Sequence, residues 1–310
     1  MTERLMLLDT ASLYYRAFYG VPDRRASPGA PPNNAVRGLL DMVATLLTTY
    51  RPTHLAACWD NDWRPAFRVE AIPTYKAHRA VEGRPDVEDT PEALVPQVPV
   101  IVEVLAALGL PRLGADGYEA DDVIGTLVHR HRGRGPVDVV TGDRDLFQLV
   151  DDEASVRVLY TARGGVRDPD IVTQSFLRNK YDIDTGPAYA DMATLRGDTS
   201  DGLPGVAGIG EKTAAALINR YGGLAALRAA LAEGDPHLKG ARRARLEEAS
   251  DYLDVAPKVV AVATDCPIEE TDLSLPEAVA HPDLLLDLVD SHDLRSPVNR
   301  VLAALQVAID

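Results

Sequence analysis

The chain has 310 residues, of which 46% are hydrophobic and 25% charged. This is the composition of an ordinary globular protein with room for about two domains. Two cysteines, Cys58 and Cys266, are too few for a disulfide framework, and their spacing matches no zinc site. The apolar run after the first four residues is too short for a signal peptide, and no apolar stretch is long enough to span a membrane. We therefore expect a cytoplasmic protein without membrane contact and, by default, a monomer.

The net charge of −15 is unevenly distributed along the chain. Residues 251–310 hold 12 Asp and Glu against 3 Lys and Arg. Nine further carboxylates belong to the acidic motifs described below, and without these two groups the chain has a net charge of +3. Because the acidity is concentrated in one tail and one candidate site, it does not exclude nucleic acid as a partner.

The first predicted elements are a strand, a helix, a loop and a second helix. Arg4–Leu8 is typical of a short buried strand, and the helix after it is expected to end near Phe18. Four prolines and a glycine predict a surface loop at Pro22–Pro32. Asn33 or Asn34 is then expected to cap a helix, because apolar residues follow with a helical period.

Two further strands, at His54–Trp59 and Asp138–Thr141, are separated by helical patterns. Alternating strands and helices predict an α/β fold with a parallel sheet. From about Gly186 the pattern becomes helical. We therefore expect an α/β core over residues 1–185 and a smaller helical domain, with an acidic C-terminal segment, over residues 186–310.

Each of the three predicted strands runs into an aspartate, namely Asp9, Asp60 and Asp143. A single acid in such a position is usually a turn residue. Ligands of open parallel sheets bind at the carboxyl ends of the strands, where side chains from separate strands meet. Three acids at this edge therefore predict a shared site.

More acids cluster in three short motifs, Tyr118–Asp122, Thr141–Leu146 and Gly197–Gly202. Taken singly, the first can be a helix start and the other two Asp/Gly turns. Together with the acids at the strand ends they give nine carboxylates, which cannot all stay ionised at close range without cations. Oxygen ligands without His or Cys suit Mg²⁺ or Mn²⁺. Two such ions would support hydrolysis of a phosphodiester. The nine acids are Asp9, Asp60, Glu119, Asp121, Asp122, Asp143, Asp145, Asp198 and Asp201.

These motifs, in this order, resemble those of the bacterial 5′-nuclease family. The family includes the 5′→3′ exonuclease domain of DNA polymerase I and stand-alone flap endonucleases. The resemblance extends over nearly the whole chain, and its third motif continues to Val206. It implies a PIN-like core with a helical arch at about 61–92, and a helix–hairpin–helix element in the smaller helical domain.

The resemblance also implies two divalent-metal sites. It places Asp9, Asp60, Glu119, Asp121 and Asp122 around the first metal. It places Asp143, Asp145, Asp198 and Asp201 around the second, some of them acting through water. Distant relatives that no longer cleave lack part of the second set, whereas this chain has all nine acids. We therefore expect an active nuclease.

Basic residues mark candidate phosphate contacts. Between Trp63 and Ala80, cations outnumber acids and alternate with aromatic residues, a pattern that suits a single strand. The resemblance places this stretch in the arch. The resemblance puts two arginines at the scissile phosphate. Their alternative role is a surface charge or an ion-pair partner for the acids. The candidates are Lys76, Arg79 and Arg16 at the scissile phosphate, and Arg68 and Tyr75 along the strand.

A glycine-rich segment, Gly205–Ala214, lets the backbone approach a phosphate at a helix start. A simple interhelical turn is the alternative. The resemblance identifies the segment as the helix–hairpin–helix element, which grips duplex DNA and holds a K⁺ through main-chain carbonyls. The basic run His237–Arg245 either extends this contact or is a solvated helix face. The candidate contacts are Gly205, Gly208, Gly210, Lys212, Lys239, Arg242 and Arg243.

We therefore expect a structure-selective 5′-nuclease that cuts DNA flaps and removes nucleotides from 5′ ends, leaving 5′-phosphates. One alternative is a PIN-type ribonuclease, in which the glycine-rich hairpin and the basic arch would have no role. Another is a metal-stabilised DNA-binding protein without catalysis, against which the complete acid set argues. Thr10, Trp63, Gly202 and Leu203 depart from the family pattern, but none of them replaces a candidate ligand.

Overall fold

The computed structural model describes residues 3–25 and 29–308. Within these ranges the strands form a six-stranded sheet and a separate two-stranded hairpin. The strands are β1 (Leu5–Asp9), β2 (His54–Cys58), β3 (Ala80–Val81), β4 (Arg84–Glu88), β5 (Arg112–Leu113), β6 (Val137–Thr141), β7 (Val156–Gly164) and β8 (Asp168–Val172). The large sheet has the order β5-β2-β1-β6-β7-β8, and all its neighbours are parallel except β7 and β8.

Helices surround this sheet and make up most of the second half of the chain. In the ranges described, none of them is long and apolar enough to cross a membrane. The helices are α1 (Thr10–Gly20), α2 (Asn34–Tyr50), α3 (Ala66–Ala71), α4 (Gln97–Leu108), α5 (Ala120–His131), α6 (Gln174–Tyr181), α7 (Gly186–Arg196), α8 (Glu211–Tyr221), α9 (Leu224–Glu233), α10 (Gly240–Glu248), α11 (Ser250–Val260), α12 (Pro282–His292) and α13 (Arg295–Leu305).

The central strands are apolar on both faces because helices cover both sides of the sheet. Every residue of β1 and β6 is buried, which is the pattern of a doubly covered parallel sheet. Side chains on one face pack with α2, α4, α12 and α13, and those on the other pack with α5 and the helices from α6 to α11. The predicted α/β fold with a parallel sheet is confirmed.

The start of α2 differs from the sequence prediction. Asn33 occupies the cap position, but its side chain makes no capping hydrogen bond and instead donates to the carbonyl of His292 at 2.7 Å. Gln97 supplies the cap: its Oε1 accepts from the backbone N–H groups of Ala35 at 2.8 Å and Val36 at 3.4 Å. A residue far away in sequence thus replaces the local cap. The loop before α2 has no helix or strand at 21–25 or 29–33, and the rest of it lies outside the described residues.

The segment 61–92 is not a helical arch in this structure. It contains the six-residue α3, a 3₁₀ turn at Ala77–Arg79 and the antiparallel hairpin β3–β4. Prolines at 65, 73 and 85 limit helix length, since proline lacks the N–H that a helix interior requires. Arg64 closes the segment on itself by donating to the carbonyls of Tyr75 at 2.6 Å and Pro73 at 2.8 Å. We call residues 61–92 the strap.

The last two helices return to the sheet. Leu285 of α12 and Val298 and Val301 of α13 are buried in the same apolar cluster as α2 and α4. The sequence prediction had included these residues in the helical domain at 186–310. The acidic C-terminal segment thus contributes to the core that supports β1 and β2.

Candidate functional site

Acids converge at the carboxyl edge of the parallel sheet. Asp9 ends β1, accepts a hydrogen bond from the backbone N–H of Ser12 at 3.2 Å and caps α1. The hydroxyl of Thr141, at the end of β6, donates to its other oxygen at 2.6 Å. Asp60 follows β2 and accepts from the N–H of Ala120 at 2.8 Å. These bonds fix both carboxylates at the mouth of one cavity.

The cavity has a volume of about 630 Å³ and opens to solvent. It is lined by carboxylates, cations and aromatic residues. Its lining includes Asp9, Asp60, Glu119, Asp121, Asp143, Glu88, Lys76, Arg79, Tyr14, Tyr15, Trp59 and Trp63. The strand-end acids and part of the Tyr118–Asp122 motif therefore meet, as the sequence predicted.

Burial and mutual repulsion make these acids reluctant to ionise. Burial raises the pKa of Asp9 to about 7, with the charges of Asp60 and Asp143 adding to the effect. Burial also raises the pKa of Asp60 to about 6. The pKa of Asp121 lies well above its usual value because of burial and the nearby Asp9 and Asp143. A divalent cation would relieve this repulsion, and carboxylate oxygens are the ligands that Mg²⁺ and Mn²⁺ prefer.

A second group of acids lies near the first. Burial and the charges of Asp143 and Asp201 raise the pKa of Asp145 well above its usual value. Burial opposes ionisation of Asp198 too, but hydrogen bonds from the side chain and backbone of Ser200 give it a lowered pKa. Asp201 is buried, and burial raises its pKa. In residues 3–25 and 29–308, no three His, Cys, Asp or Glu side chains are drawn together into a preformed cage for an ion.

Asp122 is turned away from the cavity, although it shares the Arg68 guanidinium with Glu119. It is 0% exposed, and its two oxygens accept hydrogen bonds from Arg68 at 2.6 and 2.7 Å. The backbone N–H of Ala263 donates to it at 2.8 Å. Successive helix residues point about 100° apart, so Asp121 faces the cavity while Asp122 faces the interior. The structure therefore makes Asp122 a buried ion-pair partner and not an available metal ligand.

Arg68 and Tyr75 are also placed differently from the sequence prediction. Arg68 is 2% exposed and Tyr75 is 4% exposed, so neither presents a surface to DNA. Both hold Glu119: Arg68 Nη1 donates to Glu119 Oε2 at 2.8 Å, and the Tyr75 hydroxyl donates to the same oxygen at 2.6 Å. The sequence identifies Arg68 as basic and Tyr75 as polar, but the burial of both side chains depends on contacts across the fold.

Of the three candidate catalytic cations, Lys76 and Arg79 lie beside the acids. Lys76 forms an ion pair with Glu119, and Arg79 Nη2 donates to Asp201 at 2.8 Å. Lys76 and Arg79 line the cavity. Arg16 lies beside the hairpin between β7 and β8 and donates to the carbonyl of Ala162 at 3.1 Å. Lys76 and Arg79 are thus ion-pair partners of the acids in this conformation. For Arg79, this is the alternative role that the sequence left open.

The glycine-rich segment forms a hairpin between α7 and α8. Gly205 and Gly208 have φ values of +64° and +70°, which favour glycine. A Cβ at Gly205 would lie 2.5 Å from the backbone carbonyl of Arg196, so a larger residue cannot fit without backbone movement. Gly208 and Gly210 are exposed, and Gly210 precedes the first turn of α8. The hairpin can therefore present its backbone to a ligand.

The basic residues after the hairpin are not equivalent. Lys212, Lys239 and Arg242 are exposed. Arg243 is held by Glu247, one turn further along α10, at 2.7 Å. Its charge is thus neutralised within its own helix, and this departs from its expected role as a DNA contact.

Sequence reasoning missed several lining residues of the cavity, among them Glu88, Tyr14, Tyr15 and Trp59. Glu88, on β4 of the strap, is half-buried, and burial raises its pKa. The sequence indicated no role for this acid. Tyr14, Tyr15 and Trp59 form an aromatic wall, with ring centroids of Tyr14 and Trp59 5.9 Å apart. Trp59 directly precedes Asp60, and Tyr14 and Tyr15 follow Asp9 by five and six positions, which was the available signal.

Comparisons with known proteins agree with this geometry. The N-terminal resolvase-like domain of 5′-3′ exonucleases matches residues 4–182, and the C-terminal SAM fold of 5′-3′ exonucleases matches residues 185–280. The chain belongs to the 5′-3′ exonuclease family. The family and the enzyme class predicted from the sequence are confirmed.

Relatives in this family match the full chain. A "5′-3′ exonuclease" of Streptomyces coelicolor is 54% identical, with 97% of this chain and 99% of the relative covered. A "5′-3′ exonuclease" of Mycobacterium tuberculosis is 46% identical, with 98% of each chain covered.

Solved structures show the same fold at low sequence identity. The T5 D15 protein co-crystallised with metal ions has a TM-score of 0.65 at 18% identity, with 98% of this chain and 100% of that chain covered. The catalytic core of Rad2 in complex with DNA substrate has a TM-score of 0.61 at 17% identity, with 98% and 92% covered.

Proposed function

We propose that this 5′-3′ exonuclease is structure-selective and hydrolyses DNA phosphodiesters at 5′ flaps and at 5′ ends, leaving 5′-phosphates. The observation that carries the proposal is the cavity at the sheet edge, where carboxylates with raised pKa values face Lys76 and Arg79. Opposite charges arranged around one opening suit a divalent cation and a phosphate together. Solved neighbours that contain metal ions or DNA support the same assignment.

We assign the metal ligands to eight of the nine acids. Asp9, Asp60, Glu119 and Asp121 would hold one ion, and the remaining acids of the second group would hold another. Mg²⁺ or Mn²⁺ bound there would lower the pKa of an attacking water and stabilise the charge on the leaving oxygen. Asp122 is left out because Arg68 already occupies both of its oxygens. The second group is Asp143, Asp145, Asp198 and Asp201.

The cations of the strap would act on the substrate. Lys76 and Arg79 now neutralise Glu119 and Asp201, and cations that take over these acids would free both side chains. They would then donate to the scissile phosphate and stabilise the charge that develops on it. Arg16, on α1 beside the β7–β8 hairpin, would contact a neighbouring phosphate of the same strand.

The hairpin and the helices after it would hold the duplex part of the substrate. Gly208 and Gly210 expose the backbone at the start of α8, where N–H groups attract phosphate. The hairpin carbonyls are the proposed ligands of a K⁺ ion, and Lys212, Lys239 and Arg242 the proposed side-chain contacts. All candidate groups come from one chain, so we propose that the enzyme works as a monomer, in the cytoplasm where its DNA substrate lies.

The test is a DNA duplex with a single-stranded 5′ flap, labelled at either end in separate preparations. Incubation in Mg²⁺, in Mn²⁺ and in EDTA should give metal-dependent cuts at the flap junction and mononucleotides from plain 5′ ends. Asp145→Ala should remove cleavage, while Asp287→Asn, which changes an exposed acid of α12, should not. Equal cleavage of matched RNA would favour the ribonuclease alternative. Binding without cleavage would overturn the catalytic assignment.

A further inference from the structure

An arginine that has no role so far lies beside the second group of acids. Arg196 is the last residue of α7 and comes two positions before Asp198. Its Nη2 lies 3.6 Å from Asp198 Oδ2, and its side chain is 13% exposed. Among the described residues, this nitrogen is buried and has no hydrogen-bond partner. A positive charge therefore faces one oxygen of a proposed metal ligand.

Two other contacts hold Arg196 in this position. Its Nε donates to the carbonyl of Gly197 at 3.1 Å, and its Nη1 donates to Glu211 Oε2 at 3.4 Å. Glu211 is the first residue of α8, so the arginine joins the second group of acids to the helix after the hairpin. In contrast to the cations of the strap, Arg196 does not line the open cavity. It therefore stays beside Asp198 when those cations turn to a substrate.

The two oxygens of Asp198 have different surroundings. The backbone N–H of Ser200 donates to Oδ1 at 2.8 Å, and the Ser200 hydroxyl donates to the same oxygen. Oδ2 faces Arg196 and, at 4.0 Å, Arg144 Nη2. Burial opposes ionisation of Asp198, but Ser200 and the charges of both arginines lower its pKa below the usual value. A divalent cation that binds Asp198 must therefore approach positive charge that is already there.

We propose that Arg196 weakens divalent-metal binding by the second group, because it places a permanent positive charge beside Asp198. The inference rests on the proposed function and adds to it a residue that sets the metal requirement. Like charges repel, so the arginine opposes the entry of a second cation. A negatively charged phosphate of the substrate would offset this repulsion. The second ion would then bind most tightly together with DNA.

The test measures Mn²⁺ binding to the purified protein at neutral pH without DNA, by the loss of the EPR signal of free Mn²⁺. The unchanged protein should bind one ion more tightly than the other. Arg196→Met keeps an unbranched side chain but removes its charge, and should raise the affinity for the weaker ion roughly tenfold. Arg196→Lys retains the charge and should keep the weak affinity. The melting temperature of each variant verifies the fold.

Two controls separate the charge of Arg196 from its contacts. Glu211→Gln breaks the same ion pair as Arg196→Met but leaves the arginine beside Asp198, so it should not raise the affinity. Arg178→Met removes an exposed arginine that pairs with Asp184, and should leave Mn²⁺ binding unchanged. A rise in either control equal to that of Arg196→Met would overturn the proposal.

Flap cleavage supplies a second readout. The Mn²⁺ concentration for half-maximal cleavage should fall in Arg196→Met by a smaller factor than in the binding experiment, because the substrate phosphate already offsets the arginine. Unchanged or weaker Mn²⁺ binding by folded Arg196→Met, or a larger shift with DNA than without it, would overturn the proposal. Cleavage by the unchanged protein tests the nuclease assignment independently, so the two failures are distinguishable.

Discussion

Replacing Arg68 by methionine tests whether this residue stabilises the fold or contacts DNA. Its guanidinium is buried, donates to both oxygens of Asp122 and to Glu119, and also donates to the carbonyl of Val259 at 3.0 Å. Burial would by itself lower the pKa of Arg68, but the hydrogen bonds to Asp122 and the charge of Glu119 raise it, so the group stays charged. The arginine thus joins the strap, the start of α5 and the end of α11.

The expected cost is large because methionine leaves the carboxylate of Asp122 buried and uncompensated. Removing one partner of a buried ion pair costs about 3–5 kcal/mol. Stabilities of folded proteins are about 5–15 kcal/mol, so Arg68→Met should remove a substantial part of the total. Glu119 keeps its contacts with Tyr75 and Lys76, which places most of the loss at Asp122.

Urea unfolding in EDTA at neutral pH measures this loss. The double variant Arg68→Met/Asp122→Leu should recover much of the free energy of unfolding, because the buried charge leaves together with its partner. Arg178→Met, at an exposed pair on α6, should change it by less than about 0.5 kcal/mol. The reasoning fails if Arg68→Met keeps normal stability and instead lowers the salt dependence of DNA binding, as loss of a phosphate contact would.

Three further changes test other parts of the structure. Gln97→Leu should lower the free energy of unfolding by about 1–3 kcal/mol, because it removes the cap of α2, and a loss below about 0.5 kcal/mol in urea would contradict this role. Gly205→Ala should lower the melting temperature clearly, because the added Cβ would clash with the backbone of Arg196. Among the described residues nothing lies close to a Cβ at Gly210, so Gly210→Ala should not lower it. Equal melting temperatures of the two variants would refute the clash at Gly205. In EDTA, the folded protein should lose stability as pH rises from about 4 to 7, because the pKa of Asp9 is raised from 3.8 to about 7 and the folded state holds a proton that the unfolded chain releases. Asp9→Asn should flatten that pH dependence of unfolding, and an unaltered slope would disprove the assignment.

The sequence was sufficient for the features that depend on local pattern. Apolar runs locate β1 and β6, and the order of the strands places Asp9 and Asp143 at one edge. Local pattern could not identify Gln97 as the cap of α2, since Gln97 and Ala35 are 62 positions apart. Whether a polar side chain is free or engaged depends on such distant contacts. Sequence patterns identify the groups but not their partners.

Adjacent acids illustrate the same limit. In the sequence, Asp121 and Asp122 are one motif, and both were expected at the metal. A helix turns by about 100° per residue, so one carboxylate enters the cavity and the other enters the interior. The direction of each follows from where α5 sits against the strap. The strap in turn departs from the expected arch because prolines and the hydrogen bonds of Arg64 shape it.

The cations around the acids fall into two kinds, and the difference bears on how one site can hold metal and substrate in turn. Arg68 has 3% of its side chain exposed, and its donors are committed to five acceptor atoms, so it cannot leave without a large loss of stability. The side chains of Lys76 and Arg79 are 15% and 35% exposed and border the open cavity. The more exposed pair of Arg79 with Asp201 can therefore exchange with solvent ions at little cost, whereas Lys76 leaves the buried Glu119 only when another cation takes its place. Under the proposed mechanism, the strap thus contributes both a fixed charge that orients Glu119 and exchangeable charges that can move from an acid to a phosphate.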